Sequence, residues 1–192
     1  MTNPRVASTV TVTFLTSVAS LGLYTYIGVL VQQLARSHVA TPYLWVWGIG
    51  GMAGSLFVGP LIDWARRPGV LMAGILATLA FSLFALPGSL HIPFLCFLPF
   101  TVWGAMGWAS QAPQQHVLLR LQPHNGSASM ALNSSANYLG SAVGSAIAGL
   151  LMSSGLPTSH LPIVAGCVVS VACLGQVRIV SLSNRQITKL GY

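Results

Sequence analysis

Gly59-Pro60-Leu61-Ile62-Asp63-Trp64-Ala65-Arg66-Arg67-Pro68-Gly69 separates two apolar runs, Tyr43 to Ile62 before it and Val70 to Leu86 after it. Asp63 is the only acidic residue in the chain, and Arg66 and Arg67 follow it closely. An apolar helix that stops at a lone aspartate and two arginines, then restarts at once as a second apolar helix, describes a tight hairpin between two membrane spans. Its charges are held at one water interface.

The composition agrees with that hairpin. Of 192 residues, 54% are hydrophobic and 5% charged, and the mean hydropathy is +0.74. Soluble domains carry roughly a quarter charged residues, so lipid must be the solvent here. At about 20 apolar residues per span, the chain has room for about six spans and no extramembrane domain, which puts any function between the helices. The net charge of +7 comes from eight Lys and Arg against one Asp, scattered singly or in pairs between apolar runs. A nucleic-acid partner would require those bases on one soluble face, so membrane orientation explains them and nucleic-acid binding is excluded. Cys96, Cys167 and Cys173 all fall in apolar runs without metal-ligand spacing and are expected as small buried core residues.

Six apolar segments are predicted as spans: Val10 to Leu34, Tyr43 to Ile62, Val70 to Leu86, Ile92 to Ala112, Ser127 to Met152 and Leu161 to Val180. Turn residues separate them: Ser37 to Pro42, the Asp63 hairpin, Pro87-Gly88-Ser89, Gln122 to Gly126, and Ser153 to His160. The first segment is too long for a signal-peptide core and reads as a true span. With the N-terminus inside, the inner loops and tails hold Arg5, Arg66, Arg67, Arg120, Arg178, Arg185 and Lys189, against Arg36 alone outside. That bias places both termini in the cytoplasm. The same topology puts the glycosylation-like patterns Asn125-Gly126-Ser127 and Asn133-Ser134-Ser135 in the cytoplasm and within a span, so neither is used.

Three segments carry polar stripes at helical spacing: Thr13, Ser17, Ser20, Tyr24 and Gly28; Thr101, Gly104, Trp108, Gln111 and Gln115; and Asn133, Asn137, Gly140 and Gly144. Polar groups in hydrocarbon need partners or water, so these stripes should face the bundle interior or an aqueous cavity. The third and sixth segments show weaker stripes, with Thr78 and Ser82 the clearest pair, and are expected to face lipid or support the bundle. Ser, Thr, Gly and Asn also permit plain helix packing, and the pairs Gly50 with Gly54 and Gly140 with Gly144 are expected as close-packing G-x-x-x-G motifs. Gln111, Asn133 and Asn137 stand out, because a carboxamide in a dry interior needs several partners.

Enzymatic chemistry finds no constellation. A single carboxylate excludes two-carboxylate catalysis. His38, His91, His116, His124 and His160 lie at or near loop ends without metal-ligand spacing. An intramembrane serine protease needs a histidine at membrane depth, and none stands there. No cofactor and no metal are implied.

Gly59 to Arg67 resembles the signature loop of the major facilitator superfamily. Gly59, Leu61, Asp63 and Arg67 match its pattern, while Trp64, Arg66 and Pro68 replace its usual Arg, Gly and basic residue. Leu23-Tyr24-Thr25-Tyr26-Ile27 looks like the seventh span of bacterial drug and sugar efflux permeases, and Ala131 to Gly140 looks like their eleventh. In order and spacing the resemblance covers nearly the whole chain, which looks like the C-terminal six-span half of a twelve-span facilitator beginning at its own Met1. The resemblance implies an all-α inner-membrane protein of two inverted three-helix repeats, with substrate near the midplane between two halves. It further implies that the first, second, fourth and fifth spans line the cavity, with Tyr24, Gln111, Asn133 and Asn137 offered to a neutral or weakly polar solute.

The resemblance also gives the Gly59, Asp63 and Arg67 loop a conformational role, with the aspartate bonding to the N-terminus of a helix in the opposite half. Between two copies, that contact would join Asp63 to Ser127 to Ser129 of the other. Proton-coupled relatives use an acidic side chain within the membrane, and this chain has none there. The expected function is efflux-type transport of a sugar or drug by alternating access, with a homodimer or a separate N-terminal half as partner. The alternative is a non-transporting remnant or an accessory membrane subunit.

Overall fold

In the computed structural model the described residues are 4–34, 39–65, 67–90, 92 and 94–189, with backbone alone for residues 34 and 183–189. Arg36, His38, Arg66 and His91 lie outside the described residues, as do the side chains of Arg185 and Lys189. The described chain is α-helical and contains no strand: α1 (Pro4–Tyr24), α2 (Ile27–Leu34), α3 (Thr41–Trp64), α4 (Pro68–Ser89), α5 (Phe97–Ala109), α6 (Gln111–Leu121), α7 (Gly126–Ser153), a 3-10 turn (Thr158–His160) and α8 (Leu161–Lys189).

Proline and glycine set most of these ends. Pro42 and Pro68 stand in the first turns of α3 and α4, where a missing N–H costs nothing. Pro113 cannot donate to the Ala109 carbonyl, and the helix breaks there at Ser110 into α5 and α6. Gly155, at φ 92°, closes α7: its N–H reaches the Met152 carbonyl at 3.1 Å and that of Leu156 reaches Leu151 at 3.0 Å, the two bonds of a Schellman ending.

Four of the described helices are long and apolar enough to cross a membrane: Pro4–Tyr24, Thr41–Trp64, Pro68–Ser89 and Thr158–Leu182. The other two expected spans differ for identifiable reasons. One is divided at Ser110 into two pieces too short to count singly, and continues to Leu121 rather than ending at Ala112. The other, α7, is long, but its serines and asparagines dilute its hydropathy. The first segment is also divided, at Thr25 and Tyr26, between α1 and α2.

The helices pack as three pairs, α1 on α7, α3 on α5 and α4 on α8, joined through α1 with α8 and α4 with α5. The first two pairs run parallel at close approach. A Cβ built on Gly144 would strike the Val18 carbonyl, and one on Gly140 the Phe14 carbonyl. Gly50 and Gly54 press likewise on the carbonyls of Thr101 and Ala105, and Gly104 on that of Trp47. The third pair is antiparallel: Gln176 Nε2 donates to the Gly69 carbonyl at 3.1 Å and Cys173 Sγ to that of Ala73 at 3.5 Å.

Polarity is distributed as a membrane requires. Thr9, Thr13, Thr16, Ser17 and Ser20 of α1 are buried, while Trp45, Phe57, Trp64, Phe81 and Leu174 are more than two-thirds exposed. Lipid is the solvent in which that arrangement is favourable. α4 does more than support the bundle laterally, because Met72, Leu76, Leu79, Leu83 and Leu86 fill the core beside Phe100 and Trp103. Of the three cysteines expected in the core, Cys96 is buried, Cys173 is half-buried and Cys167 is exposed. Cys167 shares the outward face of α8 with Ile163, Val171 and Leu174, where a thiol is apolar enough for lipid.

Candidate functional site

The register of α1 on α7 is constant. Ser17 Oγ donates to Asn137 Oδ1, and Thr25 Oγ1 lies 2.8 Å from Ser145 Oγ, both pairs being 120 residues apart. Gln111 Nε2, from the first turn of α6, donates to the same Asn137 Oδ1 at 3.1 Å. Asn137 thus gathers side chains from α1 and α6 onto α7. Asn137 and Gln111 are half-buried, whereas Ser17 is buried.

An aromatic group adjoins this polar one. Trp103 Nε1 donates to Ser20 Oγ at 2.8 Å, one turn along α1 from Ser17. The Tyr24 ring lies 4.3 Å from that of Trp47, which in turn meets Trp103 and Trp108 edge-on, each at 6.2 Å. Tyr24 is 36% and Trp108 52% exposed, whereas Trp47 and Trp103 lie beneath them. The arrangement offers aromatic faces and carboxamide hydrogen bonds side by side, with no formal charge, which suits a neutral solute that has both an apolar face and polar groups.

The sequence candidates fall into separate places. Tyr24, Gln111 and Asn137 belong to this patch. Asn133 stands one turn along α7 and is only 1% exposed, so it lies behind the patch. Gly50 and Gly54 face α5, and Gly140 and Gly144 face α1. Gly59, Asp63 and Arg67 are exposed at the α3–α4 hairpin, remote in sequence from the patch residues. Asp63 occupies the last turn of α3, where the helix dipole disfavours a carboxylate. The sequence did not single out Trp47, Trp103 or Gln114; the last has a weak signal, lying one turn beyond Gln111 on a helix that also carries Gln115. Among the described residues no group of three His, Cys or Asp side chains could hold a metal ion.

The fold and site together define a multi-pass helical membrane protein with an uncharged polar and aromatic patch set among its helices. No family model matches the chain. It is similar to the inner membrane transport protein YdhP of Escherichia coli K12 and to the protein of that name in Escherichia coli O157:H7, each 30% identical over 173 residues. The match covers 89% of this chain and 44% of each relative, so the chain spans less than half the length of the curated relatives it matches.

Proposed function

We propose that this chain is one half of a transmembrane carrier of the major facilitator type. It exports a small neutral solute, of the sugar or amphipathic drug class, by alternating access against a second six-helix half or a second copy of itself. The observation that carries this reading is the convergence of Ser17, Asn137 and Gln111 beside the part-exposed rings of Tyr24 and Trp108, in a chain otherwise bathed in lipid. Polar side chains are costly at that depth, and an uncharged hydrogen-bonding face is what a neutral solute would use. The name of the two relatives supports transport, and the 44% coverage supports a half. In this reading α1–α2, α3, α4, α5–α6, α7 and α8 make six crossings with both termini in the cytoplasm. Tyr24, Gln111 and Asn137 meet the solute, and Asn133 backs them.

Asp63 serves as the hinge contact. Its own helix end repels it, which supports a role in reaching the N-terminus of a helix in the other half, in a homodimer the residues Ser127 to Ser129. The second reading is an accessory membrane subunit that associates with a transporter and does not itself transport.

Native mass spectrometry from lipid nanodiscs, followed by flux in proteoliposomes against a panel of sugars and amphipathic drugs, tests the proposal. The expected result is a dimer or a complex with a six-span partner. Its flux falls by about tenfold or more in Asn137→Leu, the equivalent of losing one charge-free hydrogen-bonding anchor. Asp63→Asn weakens the assembly without changing solute affinity. A monomer without flux overturns the carrier and leaves the accessory subunit.

A further inference from the structure

Gln114 Nε2 and Asn133 Oδ1 are buried and have no hydrogen-bond partner among the described residues. The two residues are 2% and 1% exposed. One atom is a donor, the other an acceptor. The α6–α7 hairpin brings them to the same level. The Gln111–Asn137 bond joins residues equally far along the chain from His124, and Gln114 and Asn133 each stand one turn nearer to that connection. Three residues along α6 advance about 4.5 Å and four along α7 about 6 Å, so the levels agree to within about 1.5 Å.

A third polar group shares this level. Ser17 with Asn137 and, in the break beyond α1, Thr25 with Ser145 share one register, and one turn before Ser17 that register brings Thr13 to the level of Asn133. Thr13 is 3% exposed, and its hydroxyl reaches the Thr9 carbonyl only at 3.4 Å, the long limit of a hydrogen bond. Three helices therefore bring a free donor, a free acceptor and a weakly engaged hydroxyl to one buried level. The Ser17–Asn137–Gln111 cluster covers it on one side, and fully buried Leu118 of α6 lies one turn further along on the other.

We propose that this level is a binding site for a single ordered water molecule. The water accepts a bond from Gln114 Nε2, donates one to Asn133 Oδ1, and makes a third with Thr13 Oγ1. Three polar partners are what a buried water usually makes, and because water both donates and accepts, it suits either orientation of the two amides. The site is independent of what the chain transports.

The test uses the full chain in lipid nanodiscs with glutamine side chains labelled with nitrogen-15. Magnetisation transfer from water to the Gln114 side-chain amide is measured, the resonance being assigned by its loss in Gln114→Met. The expected result is a water cross-peak in the wild type that falls by about fivefold in Asn133→Leu, where the bridging acceptor is gone. Thr13→Val keeps the side-chain shape, so it folds even if Asn133→Leu does not, and it too weakens the cross-peak. A wild-type protein without the cross-peak overturns the site. So does a cross-peak that persists unchanged in both Asn133→Leu and Thr13→Val.

Discussion

The α1–α7 and α4–α8 pairs solve the same problem, association of two helices in lipid, with opposite means. α1 and α7 approach until backbone meets backbone at Gly22, Gly140 and Gly144, and then bond across the seam through Ser17 with Asn137 and Thr25 with Ser145. α4 presents a ridge of fully buried Leu76, Leu79, Leu83 and Leu86, α8 answers with Val169 and Ala172, and among the described residues the Gln176 amide and the Cys173 thiol cross between them. Lipid tails are as apolar as leucine, so neither seam gains from expelling water. The first is held by contact and hydrogen bonds and has no room for added atoms. The second is held by filled volume and has none to lose. The uncharged polar and aromatic patch lies along the first kind of seam, where close backbone approach brings hydrogen-bonding side chains of neighbouring helices within reach of one another.

Added volume in the first seam is expected to have the largest effect on stability. Gly144→Val places a side chain against the Val18 backbone, which cannot rotate away. Overpacking of this kind costs about 3 kcal/mol, read as a lower melting midpoint in nanodiscs. Gly74→Ala on α4 is the control: a Cβ there meets nothing within 4 Å, and the helix gains about 0.5–1 kcal/mol from lost chain entropy. Equal effects of the two substitutions would abolish the distinction. Next in size is removal of volume from the second seam. Leu79→Ala opens a cavity in the α4 ridge, and because the transfer term is small in lipid the cavity term remains, about 2 kcal/mol. A midpoint unchanged in Leu79→Ala would mean that α4 is not packed as its burial implies.

These seams differ in how much the sequence reveals. The stripe of Thr13, Ser17 and Ser20 is legible at once, since hydroxyls at helical spacing in an apolar run must turn inward. The break at Ser110 is readable from Pro113. The break at Thr25 and Tyr26 has no proline and depends on bonds across to α7, where Tyr26 OH donates to the Ser145 carbonyl at 3.0 Å. The meeting of Gln111 with Asn137 depends on the length and geometry of the Gln122 to Asn125 connection, which periodicity does not encode. Aromatic residues are harder still: Trp45 and Trp47 are near neighbours on α3 with the same chemistry, yet one is 68% exposed to lipid and the other 7%. In a membrane both faces of a helix accept tryptophan, so only packing decides which ring joins Tyr24. Cys167 escapes for the same reason, a thiol being indifferent to core or lipid.

The smallest expected effect tests the amide bond of the second seam, which one weak thiol contact, from Cys173 to the Ala73 carbonyl, accompanies. Gln176 is buried to 4% exposure and donates to the Gly69 carbonyl in the first turn of α4, immediately after the hairpin that holds Asp63 and Arg67. Hydrogen bonds between membrane helices contribute about 0.6 to 2 kcal/mol, and Gln176→Leu, which keeps most of the volume, should cost at the lower end of that range. The Gly69 carbonyl keeps a second lone pair for its helical bond, so little is left unpaired. If α4 and α8 are held by filled volume, this substitution shifts the midpoint less than Leu79→Ala does. If it shifts it more, the amide holds the pair together, and the two seams are variants of one polar design.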